Sequence, residues 1–297
     1  MPSSYSCYIH PLVKSNPSME VAVIPAFDDQ PQKTYLRAHR TPRPRFLMAR
    51  IVTALMLREM ATTYGKSAGG YLWAVLEPVL GIGLLSVIFS LSLNSPGLGT
   101  NFPLFYATGF LPFVMFNEMG NKVATSIRFS RPFMAYPGVT FLDAMVARAL
   151  LNVLTHCSII AIVMTGIFVI FQLPVDVDIG AVASALIMTT LLGLGVGTLN
   201  CYLFMAFPIW ERAWSILTRP LFLISGLFFT YDMLPSAAQD VLWYNPLIHC
   251  IGMMRHGFYP TYEGAYLSMG YVLGISIVLI FFGLLLLIRK YRDLLEG

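Results

Sequence analysis

Residues 143–171 read DAMVARALLNVLTHCSIIAIVMTGIFVIF and residues 179–206 read IGAVASALIMTTLLGLGVGTLNCYLFMA, with QLPVDVD between them. Each run exceeds the roughly 20 mostly apolar residues that carry a helix across a bilayer. Pro174, Asp176 and Asp178 break the apolar pattern and predict a short connection between two antiparallel spans. Working outward, 73–93, 102–122, 213–231 and 268–289 have the same character, so the sequence predicts an all-α membrane protein with six transmembrane helices. Composition agrees: of 297 residues, 57% are hydrophobic and 11% charged, less than half the charge of about 25% typical of a soluble domain. A disordered chain, a nucleic-acid-binding domain and a secreted disulfide scaffold are excluded. Cys7, Cys157, Cys201 and Cys250 show no C-x-x-C spacing and read as small buried hydrophobes.

The formal net charge of +4 hides a strong asymmetry. With both termini inside, all Lys and Arg except Arg255, 18 of 19, fall on the tail, the internal connections, the cytoplasmic ends of spans or the C-terminus. The positive-inside rule therefore predicts an N-in, C-in topology. Residues 1–45 hold seven prolines and no apolar core of the kind a cleavable signal needs; they are expected to form a cytoplasmic tail. Residues 46–64 are apolar but broken by Arg50, Arg58 and Glu59, which suits a helix at the cytoplasmic interface or one partly buried against the spans. The connection 232–267 contains two short helical candidates, 236–244 and 246–259, bounded by Pro235, Pro246 and Pro260. Both are too short to cross and read as re-entrant or interfacial helices on the outer side.

Motifs for chemistry are weak. Gly65-Lys66-Ser67 resembles the end of a phosphate-binding loop, but position 60 is Met60 where that motif needs glycine, and the run follows a helix. Gly193-x-Gly195-x-Gly197 inside a span reads as close helix packing. No H-E-x-x-H occurs, and His10, His39, His156, His249 and His256 form no ligand pattern. Glu77, followed by Pro78, together with Glu118 and Asp143, lies toward the cytoplasmic ends of spans, where ionisable groups are expensive and often functional. Phe102, Phe105, Tyr106, Phe110, Phe113 and Phe116 share one side of span two; helix packing, lipid contact and a ligand path are all open readings. Aromatics also crowd 228–266, as an interfacial belt or as the wall of an exit for sugar rings. Arg255 is expected to pair with Asp232, Asp240 or Glu263, or to meet an anionic substrate.

The segment Leu57-Arg58-Glu59 … Tyr64-Gly65-Lys66-Ser67-Ala68-Gly69-Gly70-Tyr71-Leu72-Trp73-Ala74-Val75-Leu76-Glu77-Pro78 resembles the signature of permeases of bacterial polysaccharide ABC exporters, a type-2 ABC permease family. Tyr136-Pro137 … Val139 and Asn245-Pro246-Leu247 … Arg255 are similar to later parts of that family, and the chain looks most like its capsular polysaccharide branch in Gram-negative bacteria. The resemblance runs from about residue 45 to the C-terminus; the proline-rich tail departs from it. It implies a non-catalytic permease of the inner membrane, with no cofactor in this chain. Two copies would form a channel, each bound to a separate ATPase subunit holding ATP and magnesium. A periplasmic adaptor and an outer-membrane exporter would complete the path for lipid-linked polysaccharide, with no nucleic acid involved. Spans one and five would face that path. Segment 46–70 would form the cytoplasmic gate, with Arg58, Glu59, Tyr64, Lys66, Tyr71, Trp73 and Glu77 meeting the lipid headgroup. Arg128, Arg131, Pro132, Tyr136 and Pro137 would lie on a coupling segment contacting the ATPase. Phe228, Phe229, Tyr231, Trp243, Tyr244 and Arg255 would line the glycan path and exit.

Three rivals follow from the same residues. The fold could carry O-antigen, teichoic acid, lipid or drug. An intramembrane acyl- or glycosyltransferase needs clustered polar catalytic residues in the spans, which this chain lacks. A secondary transporter should show interrupted helices in two related halves, and no internal repeat is evident.

Overall fold

A computed structural model of the chain describes residues 47–63, 69–134 and 138–296. The described residues contain helices and no strand. In chain order these are α1 (Leu47–Thr63), α2 (Gly70–Ser92), α3 (Phe102–Ala124), α4 (Ser126–Ser130) continuing into a 3-10 turn at Arg131–Phe133, α5 (Phe141–Phe171), α6 (Ile179–Ala206), α7 (Pro208–Ile224), α8 (Ser236–Leu242) after a 3-10 turn at Tyr231–Met233, α9 (Pro246–Phe258) and α10 (Met269–Glu296).

Local chemistry sets several of these starts. Asn101 Oδ1 accepts the Leu104 N–H at 3.0 Å and begins α3. Thr140 and Asp143 form a reciprocal capping box at α5, so the Asp143 carboxylate is occupied as a cap. Asp178 Oδ1 takes the Gly180 and Ala181 N–H groups at the start of α6. Asn245 Oδ1 accepts the Leu247 N–H at 3.1 Å at the start of α9, and Pro246 takes its first position.

Among the described residues four helices are long and apolar enough to cross a membrane: α2, α5, α6 and α10. Helices occupy the places of the other two expected spans, but α3 turns polar over Asn117–Lys122 and α7 is only 17 residues with Glu211, Arg212 and Arg219. The fifth helix also sits earlier than the expected 213–231. Pro208 opens it at its first position, and the chain turns at Gly226 with φ +86°, a conformation that costs glycine little. The short helices α8 and α9 lie where the prolines place them.

α6 is the central helix, with α3, α9 and α10 against it. Its small residues allow this. A Cβ at Gly197 would stand 2.8 Å from Val123 Cβ and 2.9 Å from Gly120 O on α3, and one at Gly195 would stand 2.9 Å from Ser276 O on α10. The glycine run is therefore a packing stripe serving two neighbours. The aromatic side of α3 is packing too: Phe105, Tyr106, Phe113 and Phe116 are buried, and Phe89, Tyr106, Phe222 and Phe228 join in a seam of ring contacts between 5.3 and 5.6 Å. α1 lies against α5, which realises the partly buried reading of 46–64. By contrast α2 is sparsely packed, and α7 buries none of its residues.

Candidate functional site

The alternating direction of the helices gathers charged residues at one end of the bundle. There Arg148, in the second turn of α5, is buried and serves as a hub. Its Nε lies 3.0 Å from the Glu59 carboxylate of α1. Its Nη1 donates to Lys122 O at 3.0 Å and to Thr125 Oγ1 at 2.9 Å, which ties down the C-terminal end of α3. The Phe129 ring of α4 covers the same guanidinium with its centroid 4.2 Å away. Arg58 of α1 reaches that ring from 5.2 Å. One buried cation thus joins its own helix to three others, and its planar fork supplies the geometry that a lysine lacks.

Beside the hub, Arg128 of α4 grips Glu211 of α7 through two parallel bonds of 2.9 and 2.8 Å. Both side chains are largely exposed. The hydrogen-bonded carboxylate raises the Arg128 guanidinium above its ordinary value. α4 is therefore fastened to α1 through Arg148 and to α7 through Glu211. Arg148, Asn152 and His156 recur every four residues along the buried face of α5. The Asn152 amide finds no hydrogen-bond partner among the described residues. The series leads to a cavity of about 350 Å³ between α2, α3 and α5.

The expected gate residues divide. Arg58 and Glu59 belong to the hub, while Trp73 and Glu77 line the cavity. Tyr64 and Lys66 lie outside the described residues, and of Tyr71 only the backbone, in α2, is described. Of the expected coupling residues, Arg128 makes the fork, Arg131 and Pro132 form the following 3-10 turn, and Tyr136 and Pro137 lie outside the described residues. Motif reading gives Arg148, Phe129 and Glu211 no role of this kind. The one sequence signal for the hub is the four-residue recurrence of polar groups in α5.

At the opposite end the expected exit residues fall into separate clusters. Trp243 packs on Tyr271 at 4.9 Å and on His249 at 5.4 Å. Tyr231 stacks on Tyr266 at 4.0 Å, and Tyr244 is exposed. Phe228 joins the seam of α2, α3 and α7. Arg255 requires a correction. It is 2% exposed and pairs with none of Asp232, Asp240 and Glu263. Its Nη1 and Nη2 instead donate to Phe229 O at 2.7 Å and Leu227 O at 2.9 Å, with the Phe105 ring 4.2 Å away. The turn at Gly226 directs these carbonyls at α9 where solvent does not reach, so a buried cation that satisfies them holds the turn. Phe229 contributes through its backbone.

The family model for ABC-2 type transporters matches residues 50–259. The polysialic acid transport protein KpsM of Escherichia coli is 30% identical over 238 residues, covering 79% of this chain and 91% of that protein. The capsule polysaccharide export inner-membrane protein BexB of Haemophilus influenzae is 27% identical over 241 residues, 81% of this chain and 91% of its own. CtrC of Neisseria meningitidis serogroup A, a protein of the same description, is 25% identical over 243 residues, covering 82% and 92%. The chain, matched over most of its length and all-helical in its described residues with four membrane-length apolar helices among them, belongs to the ABC-2 type transporter family of membrane permeases.

Proposed function

We propose that the chain is the membrane-spanning subunit of an ATP-driven exporter whose cargo is lipid-linked capsular polysaccharide, crossing the inner membrane. The cargo follows from the names of the relatives. The observation that carries the transport reading is the bareness of α7, which buries none of its residues, beside the sparsely packed α2. These helices occupy the places of spans five and one, and two copies apposed through them would enclose a path. On this reading α2, α3, α5, α6, α7 and α10 all span, N-in and C-in, and α3 and α7 tolerate polar groups because protein or water covers them. α8 and α9 turn back at the outer face, and Phe228, Tyr231, Trp243 and Tyr244 flank the exit.

The basic end then faces the cytoplasm. ATP and magnesium belong to a separate ATPase subunit, which presses on α4 and the turn through Arg131 and Pro132. Displacement of α4 reaches α1 through Phe129, Arg148 and Glu59, and it reaches α7 through Arg128 and Glu211. One push thereby moves the gate helix and a wall of the path together. Arg58, Lys66 and Tyr64 receive the charged end of the lipid. The periplasmic adaptor and outer-membrane exporter lie beyond this chain. Deleting the gene in its native host is expected to remove surface capsule and leave polysaccharide inside the cell, with recovery on re-expression. Unchanged surface capsule with loss of another exported glycan would overturn the cargo assignment.

A further inference from the structure

The cavity between α2, α3 and α5 has two chemically distinct parts. Away from the basic end it is walled by Phe110, Leu111 and Val114 of α3 and Ile159 of α5. Toward the basic end it presents Trp73 and Glu77 of α2, Glu118 and Lys122 of α3, and His156 of α5. Its volume of about 350 Å³ lies within the usual range for small-ligand sites, about 300–1,000 Å³.

The charges are incompletely matched. Lys122 Nζ already lies 3.0 Å from Glu118 Oε2. Among the described residues no cation stands within ion-pair distance of Glu77, which is exposed seven residues into an apolar helix, where a bilayer would make an unpaired carboxylate costly. His156 is 5% exposed, lines the cavity, and makes no hydrogen bond among the described residues. Among the described residues the site thus offers one cation to two carboxylates and no acceptor to its imidazole, and Lys122 adds positive charge beside that imidazole. An anionic lipid would answer only half of this. The apolar wall calls for a chain that lies along it.

We propose that this cavity binds a membrane phospholipid whose headgroup carries both a primary ammonium and a phosphate. The ammonium donates to Glu77 and Glu118, the phosphate accepts from Lys122 and His156, and the start of an acyl chain lies against Phe110, Leu111 and Val114. A quaternary ammonium has no N–H to give, so the carboxylates select an ethanolamine over a choline headgroup. The inference rests on the function proposed above only in placing these helices in a bilayer.

The test reconstitutes the full chain into phosphatidylcholine vesicles holding equal minor amounts of phosphatidylethanolamine and phosphatidylglycerol. The protein is re-extracted in mild detergent, and the retained lipids are quantified by mass spectrometry. Wild type is expected to retain phosphatidylethanolamine about fivefold over phosphatidylglycerol. Glu77→Gln, which keeps the shape and removes the charge, should bring that ratio within about twofold. Ala74→Phe, which fills the cavity, should lower retention of both. Equal retention of the two lipids by wild type would overturn the proposal, as would an unchanged preference in Glu77→Gln. No ATP or polysaccharide enters this assay. Failed export with the lipid preference intact would therefore count against the proposed function and leave this site standing.

Discussion

Glu59→Ala is expected to destabilise the protein by about 3–5 kcal/mol and to abolish export, because it leaves the Arg148 guanidinium buried without its counter-charge. The size of that loss cannot by itself separate a structural pair from a coupling element. The paired substitution Glu59→Met with Arg148→Met does separate them. Replacing a whole buried ion pair by apolar side chains of similar volume is often neutral for stability. The double variant should therefore unfold near the wild-type temperature and still bind its ATPase. It should export poorly, since the bonds that tie Arg148 to Glu59 on α1 and to Lys122 and Thr125 are gone and only Arg58 still reaches the Phe129 ring. Thermal unfolding of the purified complex and surface polysaccharide on cells are the two readouts. Wild-type export from the double variant would reduce the hub to scaffolding.

The second large effect concerns the fork from Arg128 to Glu211. Both side chains are well exposed, so the pair adds only about 0–1 kcal/mol to stability. Glu211→Arg should leave expression and melting unchanged. Transport per ATP hydrolysed should fall about tenfold, within the range of ordinary coupling free energies. Exchanging both charges, Arg128→Glu with Glu211→Arg, should restore much of it, since the contact is re-formed in reverse. Failure of the exchange to recover transport, with ATPase binding intact, would show that α4 does not act on α7 through this contact.

Much of the architecture is legible in the sequence because bilayer-length apolar runs and proline boundaries act locally. Helices α8 and α9 fall within a few residues of their expected bounds, and the glycine run of α6 packs as its spacing suggests. The span assigned to 213–231 fails by several residues, because a proline start and a glycine turn outweigh hydrophobicity there. Resemblance named the segments expected to act as gate and coupling element, but not the residue that joins α1 to α4. Arg148 reads in sequence as one more inward basic residue, and its meaning arises only when α1, α3 and α4 converge on it. Arg255 fails for the converse reason. Charge arithmetic looks for a carboxylate partner, whereas the fold offers two backbone carbonyls 26 and 28 residues away in the chain.

The most direct measurement reconstitutes this chain with its cognate ATPase subunit in sealed vesicles and follows lipid-linked capsular polysaccharide across the membrane. The account predicts that added ATP drives the glycan from the ATPase side to the other, and that Glu211→Arg hydrolyses ATP with little movement. Glycan movement without ATP, or equal movement by wild type and Glu211→Arg, would contradict it.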